Sequence, residues 1–288
     1  MIGLHVTRQD QRVSLSQERY IADITARFGQ LDCKPVHTPA EHSLDLSDTS
    51  GQPLDPANHD YLSLIGSLMW CSLTRPDVST IVSALAQYTA SPTETHWRAG
   101  IRVVRYLYHS RFLGLVYDGS SLGDSPIPSA HADSSWGNER KGRSRYGFIT
   151  GLGNNIVSWK SRVSTMVCIS TAEAEFFAAT ECAKELVWLR GLFAELGYTV
   201  DAPSIISEDN QACIKMVSNA AISGRNRHFA MRMHWLREQA TNGTVAFEYV
   251  PSAEQRADIL TKVLTPAAFL TQRDMLVQDT RLTVSREN

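Results

Sequence analysis

Four acidic residues, Asp133, Glu175, Asp209 and Asp258, stand in segments of this 288-residue chain that could bring their carboxylates to one point. Asp133 lies in Ser129-Ala-His-Ala-Asp-Ser-Ser-Trp136, a run that reads as a strand. Glu175 follows Ser170-Thr-Ala-Glu-Ala at the start of a long helical pattern. Asp209 ends Ser204-Ile-Ile-Ser-Glu, a strand that leads through Asn210 into another helix. Asp258 sits in Glu254-Gln-Arg-Ala-Asp-Ile-Leu-Thr-Lys262, which reads as a C-terminal helix. Aspartate inside a strand runs against propensity, which marks Asp133 as a ligand or a turn residue. Carboxylates cannot crowd one site in ionised form without cations between them, and hard oxygen donors select Mg²⁺ or Mn²⁺. A strand Asp, a helix Glu, a strand-end Asp and a late helix Asp form the ligand set of a two-metal phosphodiester hydrolase. Ordinary roles compete at each position. Glu173 stands two residues from Glu175, so only one of the pair can face Asp133. The small residues Ala178 and Ala179, which let the helix approach a sheet, favour Glu175. Strand alternation does not choose between Glu208 and Asp209. An Asp-Asn pair before a helix also reads as an N-cap, and Asp258 as a surface acid.

The elements that must position these acids divide into two groups. Residues 3–13 alternate apolar and polar and predict a strand or hairpin. Ser14 or Ser16 is expected to cap a helix carrying Tyr20, Ile21, Ile24 and Phe28, with Gly29 as its stop. Residues 31–58, with Pro35, Pro39, Pro53 and Pro56, read as loop. Helices are predicted at 61–73, 78–89 and 94–109, separated at Arg75-Pro76 and Ser91-Pro92. In the last of them Trp97, Ile101, Val104 and Tyr108 form an apolar stripe. A Gly-, Ser- and Pro-rich stretch at 119–128 marks a linker. Beyond it strands are predicted at 129–135, 145–151, 155–161 and 164–169. A helix over 171–196 follows, with Leu186, Leu189, Phe193 and Leu196 as its buried stripe. Then come strand 204–208, a helix from Asn210, a basic helix over 228–241, strand 244–250 and helix 254–263. An antiparallel meander followed by alternating helix and strand predicts an α/β fold with a mixed sheet flanked by helices.

Composition limits the setting. Hydrophobic residues make up 43% of the chain, enough for one large core or two modest ones. The five cysteines are odd in number and include no C-x-x-C pair, which argues against a disulfide framework or zinc site and for a reducing compartment. No apolar run reaches a membrane span and no signal-peptide pattern opens the chain, so an intracellular, non-secreted protein without a membrane partner is expected. The net charge of −2 does not announce a nucleic-acid binder. Local charge does more. Between Gly137 and Arg162, Arg140, Lys141, Arg143, Arg145, Lys160 and Arg162 face Glu139 alone, and the stretch from Ala221 to Arg237 holds four Arg and no acid. Such segments suit phosphates or plain solvated faces. Trp136, Tyr146, Phe148 and Trp159 could stack on a sugar or base, although aromatics in a strand-rich region commonly form core.

The runs His131-Ala-Asp-Ser-Ser-Trp-Gly137, Ser158-Trp-Lys-Ser161, Ser170-Thr-Ala-Glu-Ala-Glu175, Asp209-Asn210 and Ala257-Asp-Ile-Leu-Thr-Lys262 resemble the RNase H domain of copia-like LTR-retrotransposon Pol polyproteins. Upstream, Leu15-Ser-Gln-Glu-Arg-Tyr20, Ile65-Gly-Ser-Leu-Met69, Thr74-Arg-Pro-Asp77 and His96-Trp97 resemble the end of the same polyprotein's reverse transcriptase. The resemblance extends from Gly3 to about Met275. It implies a mainly helical thumb/connection region at 1–118, a linker at 119–128, an RNase H-like domain at 129–275 and a tail at 276–288. It selects Glu175 over Glu173 and Asp209 over Glu208, giving Asp133, Glu175, Asp209 and Asp258 as catalytic ligands of two Mg²⁺ or Mn²⁺ ions. Asp133 would bridge the ions, Glu175 and Asp209 would complete one shell, and Asp258 the other. The implied reaction is in-line hydrolysis of the RNA strand of an RNA–DNA hybrid, read through its shape and 2′-hydroxyls. Arg143, Arg145, Lys160, Arg227 and His228 are the expected nucleic-acid contacts, and the rest of a reverse transcriptase polyprotein is a possible partner. The cytoplasm, a virus-like particle or the nucleus would house it. Many RNase H domains carry a His shortly before the last Asp, but Val250-Pro-Ser-Ala-Glu-Gln255 has none. No Tyr-x-Asp-Asp polymerase motif occurs, and the chain starts where the resemblance places the strands after that motif, so polymerase activity is not expected. The rival expectations are a catalytically silent relic that binds nucleic acid or a partner, and a DNA-directed nuclease of the same fold.

Overall fold

A computed structural model describes residues 3–47, 51–55, 57–122, 127–218 and 229–281. The chain forms two compact units that divide after Asp118 and again after Thr261.

The first unit opens with the hairpin β1 (His5–Gln9) and β2 (Arg12–Ser16), turning through Asp10 at φ 50°. Helix α1 (Glu18–Arg27) follows at once. Ser14 and Ser16, expected as caps, lie within β2, and no side chain caps α1. Its stop is as predicted: Gly29 takes φ 64° and returns hydrogen bonds to the last turn. Helices α2 (Tyr61–Cys71), α3 (Ser79–Ala86) and α4 (Glu94–His109) then pack together, and β3 (Leu113–Asp118) pairs with β2. The buried side of α4 is rotated from the expected stripe: His96, Ala99, Gly100, Val103, Val104, Tyr106 and Leu107 face inward, whereas Trp97, Ile101 and Tyr108 are half-buried.

At the centre of this unit lies a polar knot around Thr74-Arg-Pro-Asp77. Arg75, fully buried, donates to both Asp77 oxygens (2.9 and 2.7 Å) and to Ser110, while Tyr106 donates its hydroxyl to Asp77. Every charge is met by a fixed partner, the condition under which such a pair survives burial.

The second unit carries the acids. Strands β4 (Pro128–Glu139), β5 (Arg143–Leu152) and β6 (Asn155–Val163) form an antiparallel meander. The expected strand at 164–169 is an irregular segment instead. Helix α5 (Thr171–Glu195) starts at Ser170, whose hydroxyl accepts from Glu173 N. Glu173 in turn accepts from Ile169 N, so the helix entry uses this acid as a capping group. Strand β7 (Ser204–Glu208), helix α6 (Gln211–Ser218), helix α7 (Ala230–Thr241) and β8 (Val245–Tyr249) follow. The sheet runs β6-β5-β4-β7-β8, with β7 parallel to both β4 and β8. This is the mixed sheet flanked by helices that the sequence predicted.

Helix α5 packs on this sheet through Ala174, Ala178, Ala179, Cys182, Ala183 and Leu186, meeting Ala130, Ala132, Phe148 and Ile206. The alanines let the helix axis approach closely, which holds an acid from its first turns beside the strands. The expected stripe is buried only through Leu189; Phe193 is half-buried and Leu196 is exposed.

Two differences bear on the C-terminus. Residues 254–263 form no α-helix but two single 3₁₀ turns, Ser252–Glu254 and Asp258–Leu260. Helix α8 (Pro266–Leu276) and β9 (Gln278–Asp279) then rejoin the first unit, where β9 pairs with β3 and Phe269 meets Tyr106 edge-on. The expected boundary at 275 therefore moves to 261. Sequence periodicity could not find this, because which core an amphipathic helix joins is a long-range choice.

Candidate metal centre

Asp133, Glu175 and Asp209 meet. One carboxylate oxygen from each lies within 4.8 Å of the other two. The strand order brings this about: β4 and β7 are parallel neighbours, so Asp133 on β4 and Asp209 just past β7 emerge on the same side. Asp133 and Glu175 are buried, and Asp209 is half-buried. At such separations two ionised carboxylates repel by roughly 3 kcal/mol or more at an effective dielectric of about 20. Burial raises the Glu175 carboxyl well above its usual range, and the charges of Asp133, Glu208 and Asp209 raise it further. Glu175 Oε2 is buried with no hydrogen-bond partner. A buried, unpartnered oxygen on a carboxylate that belongs to a group of acids is the feature a divalent cation resolves, by supplying both a partner and the compensating charge. The donor set is all oxygen, which fits Mg²⁺ or Mn²⁺.

Glu208 takes a different role from Asp209. Alternation along β7 turns it inward with Ile206, fully buried. Its Oε1 accepts from Asn210 N (3.0 Å), and burial, with Asp209 and Asp133 adding, raises its carboxyl to about 8. Asn210 itself caps α6, accepting from Ala212 N and Cys213 N.

Asp258 is not brought into the three-acid group. The reason is local. Gln255, fully buried, donates its amide to Ala132 O (2.9 Å) and Ser207 O (3.3 Å) and accepts from Ala257 N, which pins the chain across β4 and β7 and prevents the expected helix. The turn that follows keeps Asp258 half-buried and near. Thr261 donates its hydroxyl to Asp133 Oδ2 and also approaches Asp258 O at 3.1 Å. Sequence reasoning missed Gln255 and Thr261; neither carries a pattern that announces a long-range hydrogen bond. Gly147, opposite Asp133 on β5, is a third omission. A Cβ there would stand 2.6 Å from Leu260 Cβ, so only glycine lets this turn lie on the sheet. His131, two residues before Asp133, is held neutral: burial, then Arg256, lowers its imidazole to about 4.

The expected nucleic-acid contacts separate. Arg143 is exposed. Arg145 is buried and bonded to Glu139 Oε1 (2.6 Å) and Ser161 Oγ (3.0 Å), so it serves the β4–β5–β6 meander and not a phosphate. Lys160 is half-buried, pairs opposite Phe148 and holds its ammonium 5.8 Å from that ring. Arg227 and His228 lie outside the described residues. His234, on α7, is exposed.

The chain is 35% identical over 269 residues to the Retrovirus-related Pol polyprotein from transposon RE2 of Arabidopsis thaliana, covering 93% of this chain and 18% of that protein. It is 31% identical over 273 residues to the corresponding polyprotein from transposon TNT 1-94 of Nicotiana tabacum, covering 92% and 20%. The chain thus spans about a fifth of the length of these relatives. Among solved structures, LC11-RNase H1 in complex with RNA/DNA hybrid matches 46% of this chain and 93% of its own at 13% identity, with a TM-score of 0.36. No protein-family model matches.

Proposed function

The chain belongs to the Pol polyproteins of copia-type LTR retrotransposons, and from that premise we propose that its second unit is a ribonuclease H, hydrolysing the RNA strand of RNA–DNA hybrids with divalent cations. The observation that carries this reading is the convergence of Asp133, Glu175 and Asp209, with Glu175 Oε2 buried and unpartnered. Those three residues would hold Mg²⁺ or Mn²⁺, with Asp258 approaching from its turn as an outer ligand. When bound, such a cation lowers the pKa of water and stabilises charge on a leaving 3′ oxygen. The chain's own groups orient the site. Thr261 donates to one Asp133 oxygen and so helps fix that carboxylate. Gln255 fixes the turn that carries Thr261 and Asp258. Val250-Pro-Ser-Ala-Glu-Gln255, the run shortly before Asp258, holds no histidine, and His131 is not among the three clustered acids, so no imidazole is assigned to proton transfer.

RNA–DNA hybrid is the proposed substrate, and the remainder of a reverse transcriptase polyprotein the proposed partner. The absence of a Tyr-x-Asp-Asp run from this sequence argues against polymerase activity in it. Five free cysteines suit an intracellular setting, and among the described residues no helix is long and apolar enough to cross a membrane.

The test is cleavage of end-labelled RNA–DNA hybrid with Mg²⁺ or Mn²⁺, comparing the chain with Asp209→Asn, which removes one charge and keeps shape. Cation-dependent RNA cutting lost in the variant supports the assignment. Folded protein that leaves hybrid intact refutes it, and intact hybrid alongside cut DNA duplex replaces it with a DNA-directed nuclease.

A further inference from the structure

Trp136 is built into an unusual setting. Strand β4 shifts register between Ser135 and Glu139, and Gly137 within that bulge takes φ 69° and donates to Ser144 Oγ. Asn138 closes the bulge by donating to Ser135 Oγ (2.6 Å). Trp136 Nε1 donates to Cys168 O (2.9 Å), so the polar edge of the indole is satisfied inside the fold while the residue remains 46% exposed. An aromatic ring held by its one donor and left in water is immobilised without being buried.

The segment it touches is held equally firmly. Ser164 N donates to Ser144 O (2.7 Å), Ser164 Oγ to Met166 O (2.6 Å), and Ile169 N to Glu173 (2.9 Å). On either side of the Cys168 carbonyl, Val167 is 55% and Ile169 63% exposed. Two β-branched side chains and an indole are thus presented to solvent by backbone fixed at both ends. Exposed apolar groups carry meaning as a contact surface when they are contiguous, as these three neighbours of the Cys168 carbonyl are.

Position and charge identify what they contact. Trp136 lies three residues beyond Asp133 on the same strand, and Ile169 immediately precedes the Ser170 cap of the helix that carries Glu175. Asp133 and Trp136 thus share β4, and Val167 and Ile169 stand just before the helix that carries Glu175, while Asp209 comes from beyond β7. The turn that follows the bulge exposes Arg140, Lys141 and Arg143, cations suited to a polyanion. A nucleic-acid duplex offers both chemistries together: phosphates for the turn, and the apolar faces of groove sugars for the indole.

We propose that Trp136, with Val167 and Ile169 beside its Cys168 anchor, is the platform on which a sugar of the bound nucleic-acid strand rests, a few nucleotides at most from the phosphodiester held at Asp133, Glu175 and Asp209. The proposal rests on the nuclease reading above. Its occupant is the RNA–DNA hybrid, and the contact is apolar, so it strengthens binding without adding to the ionic part of the affinity.

The experiment measures equilibrium binding of the full chain to a short fluorescein-labelled RNA–DNA hybrid by anisotropy in EDTA, across a salt series. Wild type is compared with Trp136→Ala, Trp136→Phe and Ile169→Thr, each checked for an unchanged melting profile. Trp136→Ala is expected to weaken binding by about 5-fold or more, the loss that follows from exposing a few tens of Å² of apolar contact. Trp136→Phe, which loses the bond to Cys168 but keeps a ring, retains most of the affinity, and Ile169→Thr weakens binding a few-fold. The slope of log K against log salt stays that of wild type in all three, because no phosphate contact is removed. In cleavage assays the Ala variant raises KM and leaves kcat at saturation unchanged. Equal affinity of Trp136→Ala and wild type overturns the platform, as does a Phe variant as weak as Ala, which would assign the indole a purely structural bond. A change in oligomeric state with unaltered hybrid affinity also overturns it, in favour of a second copy. Failure of wild type to bind and cleave hybrid with Mg²⁺ or Mn²⁺ present refutes the nuclease reading and is distinguishable from all of these.

Discussion

Substituting Gly147 by alanine tests how the site is assembled. The added Cβ would lie 2.6 Å from Leu260 Cβ, 3.0 Å from Thr261 Cγ2 and 3.2 Å from Leu260 C. Carbon atoms pack at about 3.5–4.0 Å, so the turn must retreat from β5 by roughly 1 Å. Part of the contact is backbone, which no rotamer change relieves. The retreat carries Thr261 away from Asp133 and Asp258 away from the acid group. Overpacking of this kind costs about 1–3 kcal/mol, a fall in Tm of about 3–10 °C for a unit of this size. A displacement of about 1 Å in positioning groups costs on the order of 100-fold in rate. The assays are a thermal melt and cation-dependent hybrid cleavage at saturating substrate. Loss of rate with the fold retained is the expected outcome. A Gly147→Ala protein with wild-type Tm and wild-type rate would show that the turn does not bear on β5 and that Thr261 does not position Asp133.

Further tests address other parts of the molecule. Asp77→Ala leaves the fully buried Arg75 without its counter-charge and Tyr106 without its acceptor, and should destabilise the chain by about 3–5 kcal/mol in urea unfolding. Glu208 has a folded-state pKa of about 8, above the ordinary 4.5 of the unfolded chain, so its contribution is fully present below about pH 4.5 and is lost as pH rises toward 8. The cation-free chain should therefore melt at falling temperature between pH 5 and 8, and Glu208→Gln should flatten that profile; identical profiles would contradict the burial of this acid. Because Glu175 must lose a proton to hold a cation, Mg²⁺ should raise Tm more at pH 8 than at pH 6, with the effect absent in Asp133→Asn. Of the five free cysteines only Cys33 is accessible, so limited alkylation of native protein should modify it alone, as read by peptide mass mapping.

Much of this architecture could be read without coordinates because its signals are local. The first three strands after the linker, the long helix over 171–196 and strand 204–208 each follow from a period or a composition change within about ten positions. Asp133 stood out as an acid inside a strand. The choice of Asp209 over Glu208 came from the family resemblance, since strand alternation left it open. That of Glu175 over Glu173 came from the resemblance together with the alanines that follow it. Tertiary structure alone decided the rest. Whether residues 254–263 form a helix depended on Gln255 finding two carbonyls on β4 and β7, more than a hundred and nearly fifty residues away. That choice set Asp258 outside the three-acid group. Arg145 reads as a surface cation by composition, but Glu139 and Ser161 enclose it. Helix α8 has the pattern of any amphipathic helix, and only the first unit's open face around Tyr106 and β3 says where it docks. Periodicity determines which side of an element is buried; the partner that buries it is chosen by contacts across the whole chain, and those are set by the fold.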